Sequence, residues 1–158
     1  MLDIYDELRR LLELLEAEKI DYALCGGWAM AVHGEPRATI DIDLLIPFES
    51  SERLIAAAAT TLDYRIRGLD MSFARGVIEI RRVSKIDPDS GDLLSLDLLL
   101  VTPQILPVWE SRVAADWEGG ELTVVSKDGL IVLKRLRGSG QDLDDIKKLE
   151  EGIDDGEG

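Results

Sequence analysis

Residues 20–46 read IDYALCGGWAMAVHGEPRATIDIDLLI, and this stretch decides the fold. Its first part, Asp21 to Cys25, is a short apolar run that stops at two glycines, which predicts a buried strand entering a tight turn. Trp28 to His33 is small and apolar, and it suits a short helix that begins at the glycines. Ile40 to Ile46 alternates at first and then becomes wholly apolar, as expected for a strand buried on one face at its start and on both faces at its end.

Two aspartates, Asp41 and Asp43, lie at the start of the second predicted strand. Residues two apart on a strand point to the same face, so these carboxylates are expected to lie side by side. Like charges at that spacing raise each other's pKa unless a cation lies between them. Magnesium prefers oxygen ligands and would provide that cation, although an Asp-x-Asp pattern alone is weak evidence for a metal site.

A third aspartate, Asp97, interrupts the otherwise apolar run from Leu93 to Val101, which reads as a core strand. A buried carboxylate without a partner is costly, so it needs a cation or several hydrogen-bond donors. Two partners remain open: metal ions shared with the other two aspartates, or an ion pair with a central arginine such as Arg81. If the strands are neighbours, three carboxylates converge and can hold two metal ions that align a hydroxyl with a phosphorus atom.

The remaining sequence predicts a mixture of helices and strands. Leu2 to Ala17 has the spacing of an amphipathic helix, and Ser50 or Ser51 is expected to cap a second helix that ends near Leu62. Pro103 and Pro107 mark a connector, and Ser126 is expected to cap a helix from about Asp128 to Leu136. These elements indicate an α/β (α+β) fold, a mixed β-sheet with helices packed on one side and the carboxylates on the other. We expect a single domain over residues 1–151 and a flexible acidic tail over residues 152–158.

Charge and cysteine content exclude several classes of protein. The net charge is 18 − 32 = −14, which argues against a protein that coats nucleic acid. Residues 65–85 nevertheless carry six bases and two acids, so this stretch is interpreted as a binding patch for a small anion or short RNA, or as a solvated sheet face. The single cysteine, Cys25, excludes an internal disulfide and a cysteine-based zinc site. No apolar run is long enough to cross a bilayer, and a cytoplasmic location is expected.

Gly26 and Gly27 are candidates for phosphate binding. Glycines let the backbone approach a phosphate closely, and the following helix offers free N–H groups. A simple strand-to-helix turn explains the same two glycines. Arg37 and Thr39 precede the carboxylate pair and are predicted to contact the same phosphates.

These residues together resemble the polymerase-beta-like nucleotidyltransferase superfamily. The resemblance lies in Cys-Gly-Gly-Trp-Ala at 25–29 and Arg-Ala-Thr-Ile-Asp-Ile-Asp-Leu at 37–44. It is closest to a small bacterial branch containing minimal nucleotidyltransferases, abortive-infection-type toxins and lincosamide and aminoglycoside nucleotidyltransferases. The resemblance implies a nucleotidyltransferase fold, metal binding by Asp41 and Asp43 with Asp97 as the third carboxylate, and phosphate binding by the paired glycines.

The last helices are also similar to this branch. Lys134 followed by Asp-Leu-Asp-Asp-Ile at 142–146 matches a segment in which the lysine faces the triphosphate, although Gln141 stands where a basic residue is common. For Lys134, a phosphate contact and a solvated helix face both remain open. Asp142 and Asp145 are interpreted as a helix cap and a surface pair.

The implied activity is transfer of a nucleoside monophosphate from an NTP such as ATP to an acceptor hydroxyl, with Mg²⁺, or Mn²⁺ as an alternative, as cofactor. The acceptor is a small molecule, a protein or tRNA. Two other functions remain open: a toxin-type enzyme acting on tRNA, and a non-catalytic relative that binds a nucleotide or a partner. No membrane contact is expected, and because the chain is short, a second copy or an antitoxin partner is expected to complete the site.

Overall fold

The computed structural model describes residues 3–34, 41–138 and 140–156. The helices run over α1 (Ile4–Ala17), α2 (Gly26–Val32), α3 (Ser51–Leu62), α4 (Leu106–Glu110), α5 (Lys127–Arg137) and α6 (Gly140–Gly156). The strands run over β1 (Ala23–Cys25), β2 (Ile42–Pro47), β3 (Ile66–Arg67), β4 (Met71–Phe73), β5 (Ile78–Ile86), β6 (Leu93–Val101), β7 (Val113–Trp117) and β8 (Gly120–Val124). Short 3₁₀ turns precede α3 and α4, and a third follows β4.

Within these residues, the strands form one mixed sheet in the order β3-β5-β6-β2-β1-β8-β7, and β4 pairs with β5. The neighbours β2 and β6 are parallel, as are β1 and β8, whereas the other pairs are antiparallel. The prediction of a mixed sheet with helices packed on it is therefore confirmed. Strands β2 and β6 are the most apolar and lie in the middle of the sheet, where neighbours cover both of their edges.

Helices lie on both faces of the sheet, so the prediction that they lie on one side is wrong. Glu7 of α1 contacts Lys85 of β5 on one face. On the other face, which carries Asp97, Leu130 and Leu133 of α5 line a cleft together with apolar side chains of β5 and β6. The face of the aspartates therefore also has an apolar part, which α5 removes from water.

One of the predicted helix caps is confirmed and the other is not. The Ser126 hydroxyl accepts a hydrogen bond from the Gly129 N–H at 3.0 Å, which confirms this cap. Ser50 makes no such bond at the start of α3, and the Ser51 hydroxyl instead donates to the Phe48 carbonyl.

Strand β7 was not predicted, because as an edge strand it is largely exposed and lacks a strong apolar pattern. Helix α6 runs to Gly156, while the single-domain organisation and the flexible tail stay predictions.

A buried ion pair joins α1 to the sheet. The Lys85 ammonium lies 2.7 Å from Glu7 Oε2 and donates to the Leu62 carbonyl at 2.9 Å. The Tyr64 hydroxyl donates to the same Glu7 oxygen at 3.2 Å, and the ammonium lies 4.6 Å from the centroid of the Tyr64 ring. Both ionic side chains are almost fully buried, with 6% and 11% exposure. Lys85 is therefore part of the core of the protein and not of a basic surface.

Lys85→Met is expected to lower the free energy of unfolding by up to about 3–5 kcal/mol, because it removes the nearer of two cations from the buried Glu7 carboxylate; the other, Arg10, lies 3.8 Å from Glu7 Oε1. Arg65→Met is the matched control, since it removes the same charge from an exposed pair with Asp63 and should cost less than about 1 kcal/mol. Urea denaturation of both variants measures the difference. Equal effects would show that the Glu7 pair is not shielded from water.

In the part of the chain that the structure describes, no helix is both long enough and apolar enough to cross a membrane.

Candidate active site

Strands β2 and β6 bring two of the predicted aspartates together. The two strands are parallel and adjacent, and Asp43 lies directly opposite Asp97 in their register. Asp41 is the residue immediately before β2, and it lies two positions before Asp43. On its other side, Asp43 lies opposite Cys25 of β1, where β1 ends and α2 begins. The sheet topology thus places all three aspartates at the end of the sheet that carries the paired glycines.

Together with burial, negative charge on neighbouring aspartates contributes to a raised pKa at Asp43 and Asp41. Burial raises the pKa of Asp43 to about 7, and the charges of Asp97 and Asp41 add to this increase. The pKa of Asp41 is also raised, first by burial and then by the charge of Asp97, while Arg82 and a hydrogen bond from the Ser95 backbone counteract it. A cation among these groups would relieve the repulsion that raises both values.

Arg82 of β5 is the cation that pairs with Asp97. Its Nε donates to Asp97 Oδ1 at 2.6 Å and its Nη2 donates to Oδ2 at 2.8 Å, which is the strong two-pronged geometry of a guanidinium and a carboxylate. The antiparallel register of β5 and β6 sets Arg82 opposite Asp97. Arg81, the arginine named from the sequence, points to the other face and contacts Asp70 and Glu79 instead.

The donor set fits a hard divalent cation in part. Asp41 and Asp43 offer carboxylate oxygens, the ligands that Mg²⁺ prefers, and burial together with neighbouring carboxylates raises the pKa of both. Both oxygens of Asp97 accept hydrogen bonds from Arg82. Among the residues described, no three acidic, histidine or cysteine side chains are arranged to hold a metal ion. Metal binding by all three aspartates together therefore stays a prediction.

Gly26 allows Asp43 to lie against the turn between β1 and α2. Its φ of +64° belongs to the left-handed region that favours glycine, and a Cβ at this position would overlap Asp43 Oδ2 and lie 2.7 Å from Asp43 Cγ. The sequence indicated a phosphate-binding role for Gly26 and Gly27, which stays a prediction. It did not reveal that Gly26 makes room for a carboxylate, since that contact depends on how β1 and β2 pair. Arg37 and Thr39 lie outside the described residues.

Lys134 is buried, and the prediction of a solvated helix face is wrong. Its ammonium lies 2.9 Å from Asp145 Oδ2 and 3.8 Å from Asp142 Oδ1, and the residue is 5% exposed. The interpretation of Asp142 and Asp145 as a surface pair is also wrong, because both are buried against Lys134. Their interpretation as a helix cap stays a prediction. The packing of α6 on α5 turns the apparently exposed charges of both helices into an internal ion cluster. The predicted phosphate contact of Lys134 is not tested by this geometry.

Lys134 also faces the aspartates across a cleft. One side of the cleft is formed by Gly26, Asp43 and Asp97, and the opposite side by Lys134 and Arg137 of α5. The charges of Arg137 and Lys134 lower the pKa of Asp43 and so oppose the effect of burial. The remaining lining is mainly apolar and comes from both the sheet and α5: Ile78, Ile80, Leu99, Leu130 and Leu133.

Sequence reasoning missed Arg137 as a residue of this cleft. Its side chain is half-exposed, and its Nε lies 3.5 Å from Asp142 Oδ2. The signal that was available is its position one helical turn after Lys134, where residues three apart share a face. Arg137 thus brings a second basic side chain to the cleft beside Lys134. Both are paired with Asp142 or Asp145, so a negatively charged group in the cleft would share them with these carboxylates.

Five of the six bases between residues 65 and 85 pair with neighbouring acids. Ion pairs join Arg65 to Asp63, Arg67 to Glu52 and Asp70, Arg81 to Asp70 and Glu79, Arg82 to Asp97, and Lys85 to Glu7. Within the described residues, most of the positive charge that the sequence suggested is therefore paired, and the exposed Arg75 lies outside these pairs.

His33, which follows α2, and Cys25, the last residue of β1, make structural contacts. The ring Nε2 of His33 lies 2.7 Å from the Val125 carbonyl and fastens the end of α2 to the segment after β8. Cys25 is a buried core residue, and burial raises the pKa of its thiol well above the usual value.

No protein-family model matches the chain. No curated protein matches it either. Solved structures do match, over nearly the whole of this chain. The lincosamide antibiotic adenylyltransferase LnuA, with lincomycin bound, is 18% identical and has a TM-score of 0.56, with 92% of this chain and 95% of that chain covered.

Two further structures give the same result. ANT(2'')-Ia in complex with adenylyl-2''-tobramycin is 15% identical with a TM-score of 0.61, and the match covers 94% of this chain and 88% of that chain. TM1012 from Thermotoga maritima, which carries a provisional assignment as a nucleotidyltransferase, is 15% identical with a TM-score of 0.59, and the match covers 93% and 88%. The chain therefore shares the fold of these solved structures, which is the fold that the resemblance over residues 25–44 predicted.

Proposed function

We propose that this protein transfers a nucleoside monophosphate from an NTP to the hydroxyl group of an acceptor. The observation that carries the proposal is the cleft in which Asp43, next to Asp97 and against Gly26, faces Lys134 and Arg137. Carboxylates that would hold a divalent cation thus share a cleft with two basic side chains, which would contact phosphates in addition to their pairing with Asp142 and Asp145. The fold, shared with adenylyltransferases, is consistent with this chemistry.

The reaction forms a bond between the acceptor oxygen and the α-phosphorus of the NTP. The bond between the α-phosphorus and the oxygen that bridges to the β-phosphate breaks, and pyrophosphate leaves. Asp41 and Asp43 would hold Mg²⁺ or Mn²⁺, which would neutralise charge that develops on the phosphates. Lys134 and Arg137 would contact the triphosphate from α5.

The proton of the acceptor hydroxyl must pass to a base. Asp97 is our candidate, because it lies beside Asp43 at the cleft. A carboxylate whose two oxygens both accept from a guanidinium is a poor proton acceptor, so this role requires that Arg82 release Asp97 when substrates bind.

The test is to incubate the protein with Mg²⁺, each labelled NTP and pools of candidate acceptors, and to follow labelled product and pyrophosphate. Asp43→Asn is expected to lower the transfer rate by about 10³-fold, the equivalent of the several kcal/mol that a bound metal contributes. Asp116→Asn, an exposed aspartate of β7, is the control and should leave the rate unchanged. Transfer that survives in Asp43→Asn would rule out the carboxylate cluster as the catalytic centre.

Two observations bear on the acceptor. LnuA was solved with lincomycin and ANT(2'')-Ia with an adenylylated aminoglycoside, so small molecules with several hydroxyl groups are the first acceptors to test. Five of the six bases between residues 65 and 85 are held in ion pairs, which gives little support to the alternative of a toxin acting on tRNA.

The Arg82–Asp97 pair supports a second candidate, a non-catalytic relative that binds nucleotide in the same cleft. In that case, labelled NTP would bind, but no acceptor would become labelled. Use of ATP as the donor, a cytoplasmic location, and completion of the site by a second copy or an antitoxin remain our predictions.

A further inference from the structure

Strand β7 forms one edge of the sheet, and its outer side is open. In the part of the chain that the structure describes, β7 is the last strand of the sheet and pairs with β8 alone. Its five residues, Val113–Trp117, include no proline, glycine or lysine, and its register with β8 has no bulge. Edge strands usually carry such features, because they keep another strand from pairing with the exposed backbone.

The backbone groups of Ala114 and Asp116 point to this open side. A two-residue turn joins β7 to β8, so the pair that flanks the turn is hydrogen-bonded and every second pair along the strands is not. Ala114 belongs to a pair of the second kind, since the N–H of Thr123 opposite it donates away from β7, to the Tyr22 hydroxyl at 3.1 Å. The N–H and C=O groups of Ala114 and Asp116 are therefore directed outward, where a further strand would accept them.

These outward groups match one another when β7 pairs with β7 of a second copy, antiparallel and centred on Ala115. Ala114 then lies opposite Asp116 of the second copy, and each such pair exchanges two backbone hydrogen bonds. On the face that packs against the core, Val113, which is 42% exposed, lies opposite the partly buried Trp117 of the second copy. A centre at Asp116 would set like charges opposite each other, and a centre at Ala114 would leave Trp117 opposite a residue outside the strand.

The two ends of β7 carry opposite charges, which suits an antiparallel pair. Arg112 precedes the strand and Glu118 follows it, so each end of the interface brings one of them beside the other. The Arg112 guanidinium lies over the Trp109 ring at 3.6 Å and has no carboxylate partner among the described residues. Its Nη1 is buried, so its other N–H groups would meet the second copy. Glu118 already accepts from Arg9, but its side chain is 41% exposed and a carboxylate has room for further donors.

We propose that two copies of this chain associate through β7, antiparallel about Ala115, and so form one continuous sheet. Only a short strand of each copy takes part, and interfaces below about 1,200 Å² are weak, so a Kd of roughly 10–100 µM is expected. Strands β1 and β8 separate β7 from β2, so each cleft lies outside the interface. The inference goes beyond the proposed function and does not depend on it.

The test is sedimentation velocity of the full chain from about 1 to about 500 µM, in salt that screens the net charge of −14. The wild type should pass from monomer to dimer over this range. Ala114→Pro removes an N–H that only the second copy would use, and an edge strand tolerates proline at such a position. This variant should stay monomeric, with the melting temperature of the wild type at the lowest concentration. Ala114→Thr is the matched control, because it keeps the N–H and should dimerise as the wild type does.

Charge reversal tests the direction of the pairing. Arg112→Glu and Glu118→Arg each set like charges beside each other at both ends of the interface, and each should weaken dimerisation at least about tenfold. The double variant Arg112→Glu/Glu118→Arg restores opposite charges in an antiparallel pair alone, so it should dimerise again. Two folded single variants that are monomeric, with a double variant that does not recover, would contradict the register.

Three other results would overturn the inference. The first is a wild type that remains monomeric at about 500 µM. The second is a dimer that persists in Ala114→Pro, since another surface would then hold it together. The third is unchanged dimerisation in both single charge variants, and these variants decide alone if Ala114→Pro fails to fold. The readout is the mass of the particle, so loss or presence of nucleotidyl transfer does not affect the result.

Discussion

Asp43→Asn is expected to raise the free energy of unfolding of the metal-free protein at pH 8 by up to about 4 kcal/mol. Burial and the neighbouring Asp97 and Asp41 raise the pKa of Asp43 from 3.8 to about 7 in the folded protein. Each pKa unit corresponds to about 1.4 kcal/mol, and roughly three units separate the folded and unfolded states. Asparagine removes the buried negative charge at position 43 and therefore its repulsion with Asp97 and Asp41.

The sign of the effect follows from the order of protonation. Below pH 4, Asp43 is neutral in the folded state and largely neutral in the unfolded state, so wild type and variant should have similar stability. As the pH rises from 4 to 7, the unfolded chain loses this proton first, and the wild-type protein becomes less stable. Above pH 7 the difference between wild type and Asp43→Asn should be constant and at its largest.

The measurement is urea denaturation of both proteins from pH 4 to pH 8 in the presence of a chelator. Asp116→Asn, on the exposed strand β7, should follow the wild-type profile. Mg²⁺ in place of the chelator should restore much of the wild-type stability near pH 8 and leave Asp43→Asn unchanged, because a ligand of the folded state stabilises it. Parallel profiles of wild type and Asp43→Asn would show that the Asp43 carboxylate is not enclosed.

Gly26→Ala is expected to reduce transfer by at least about a hundredfold and to lower the free energy of unfolding by roughly 2–4 kcal/mol. An alanine at φ +64° costs about 1–2 kcal/mol in the backbone alone. Its methyl group would also overlap the Asp43 carboxylate, with the Cγ at 2.7 Å and the Cβ at 2.9 Å. Asp43 has a short side chain, so it can make room only by turning its carboxylate away or by moving β2.

Gly34→Ala is the control that separates the backbone cost of a positive φ from the steric overlap with Asp43. Gly34 also has a positive φ, of +89°, and among the residues that the structure describes no atom lies within 4 Å of the added methyl group. This variant should therefore show the backbone cost alone, about 1 kcal/mol, with transfer retained. Comparison of kcat/KM and of melting temperature for both variants is the measurement. If Gly26→Ala kept full activity, close contact between this turn and Asp43 would not matter for the reaction.

The strands that carry the site were predictable from local pattern. The apolar runs around Asp43 and Asp97 are long and bounded by turn residues, so each could form only a buried strand. The glycines after β1 identified the turn for a similar reason, since few other residues tolerate its backbone conformation. Ser126 likewise identified the start of α5 through a bond to a residue three positions away.

The partners of the charged residues were not predictable in this way. Arg81 and Arg82 are adjacent in the sequence and chemically identical, and only the pairing of β5 with β6 decides which of them faces Asp97. Lys134 has the sequence context of an exposed helix residue and is buried because α6 packs over it. Such contacts join residues 11 to 15 positions apart, beyond the reach of any local pattern.

The sequence by itself determined the elements near the site, the type of sheet and the resemblance to nucleotidyltransferases, because propensity and apolar periodicity act over a few neighbouring residues. Only the tertiary structure decided that Asp43 lies opposite Asp97, that Gly26 makes room for Asp43, and that Arg82 pairs with Asp97. The physical reason is that register and helix packing bring distant residues into contact, and the energies of ion pairs and close contacts depend on distances that no local pattern contains.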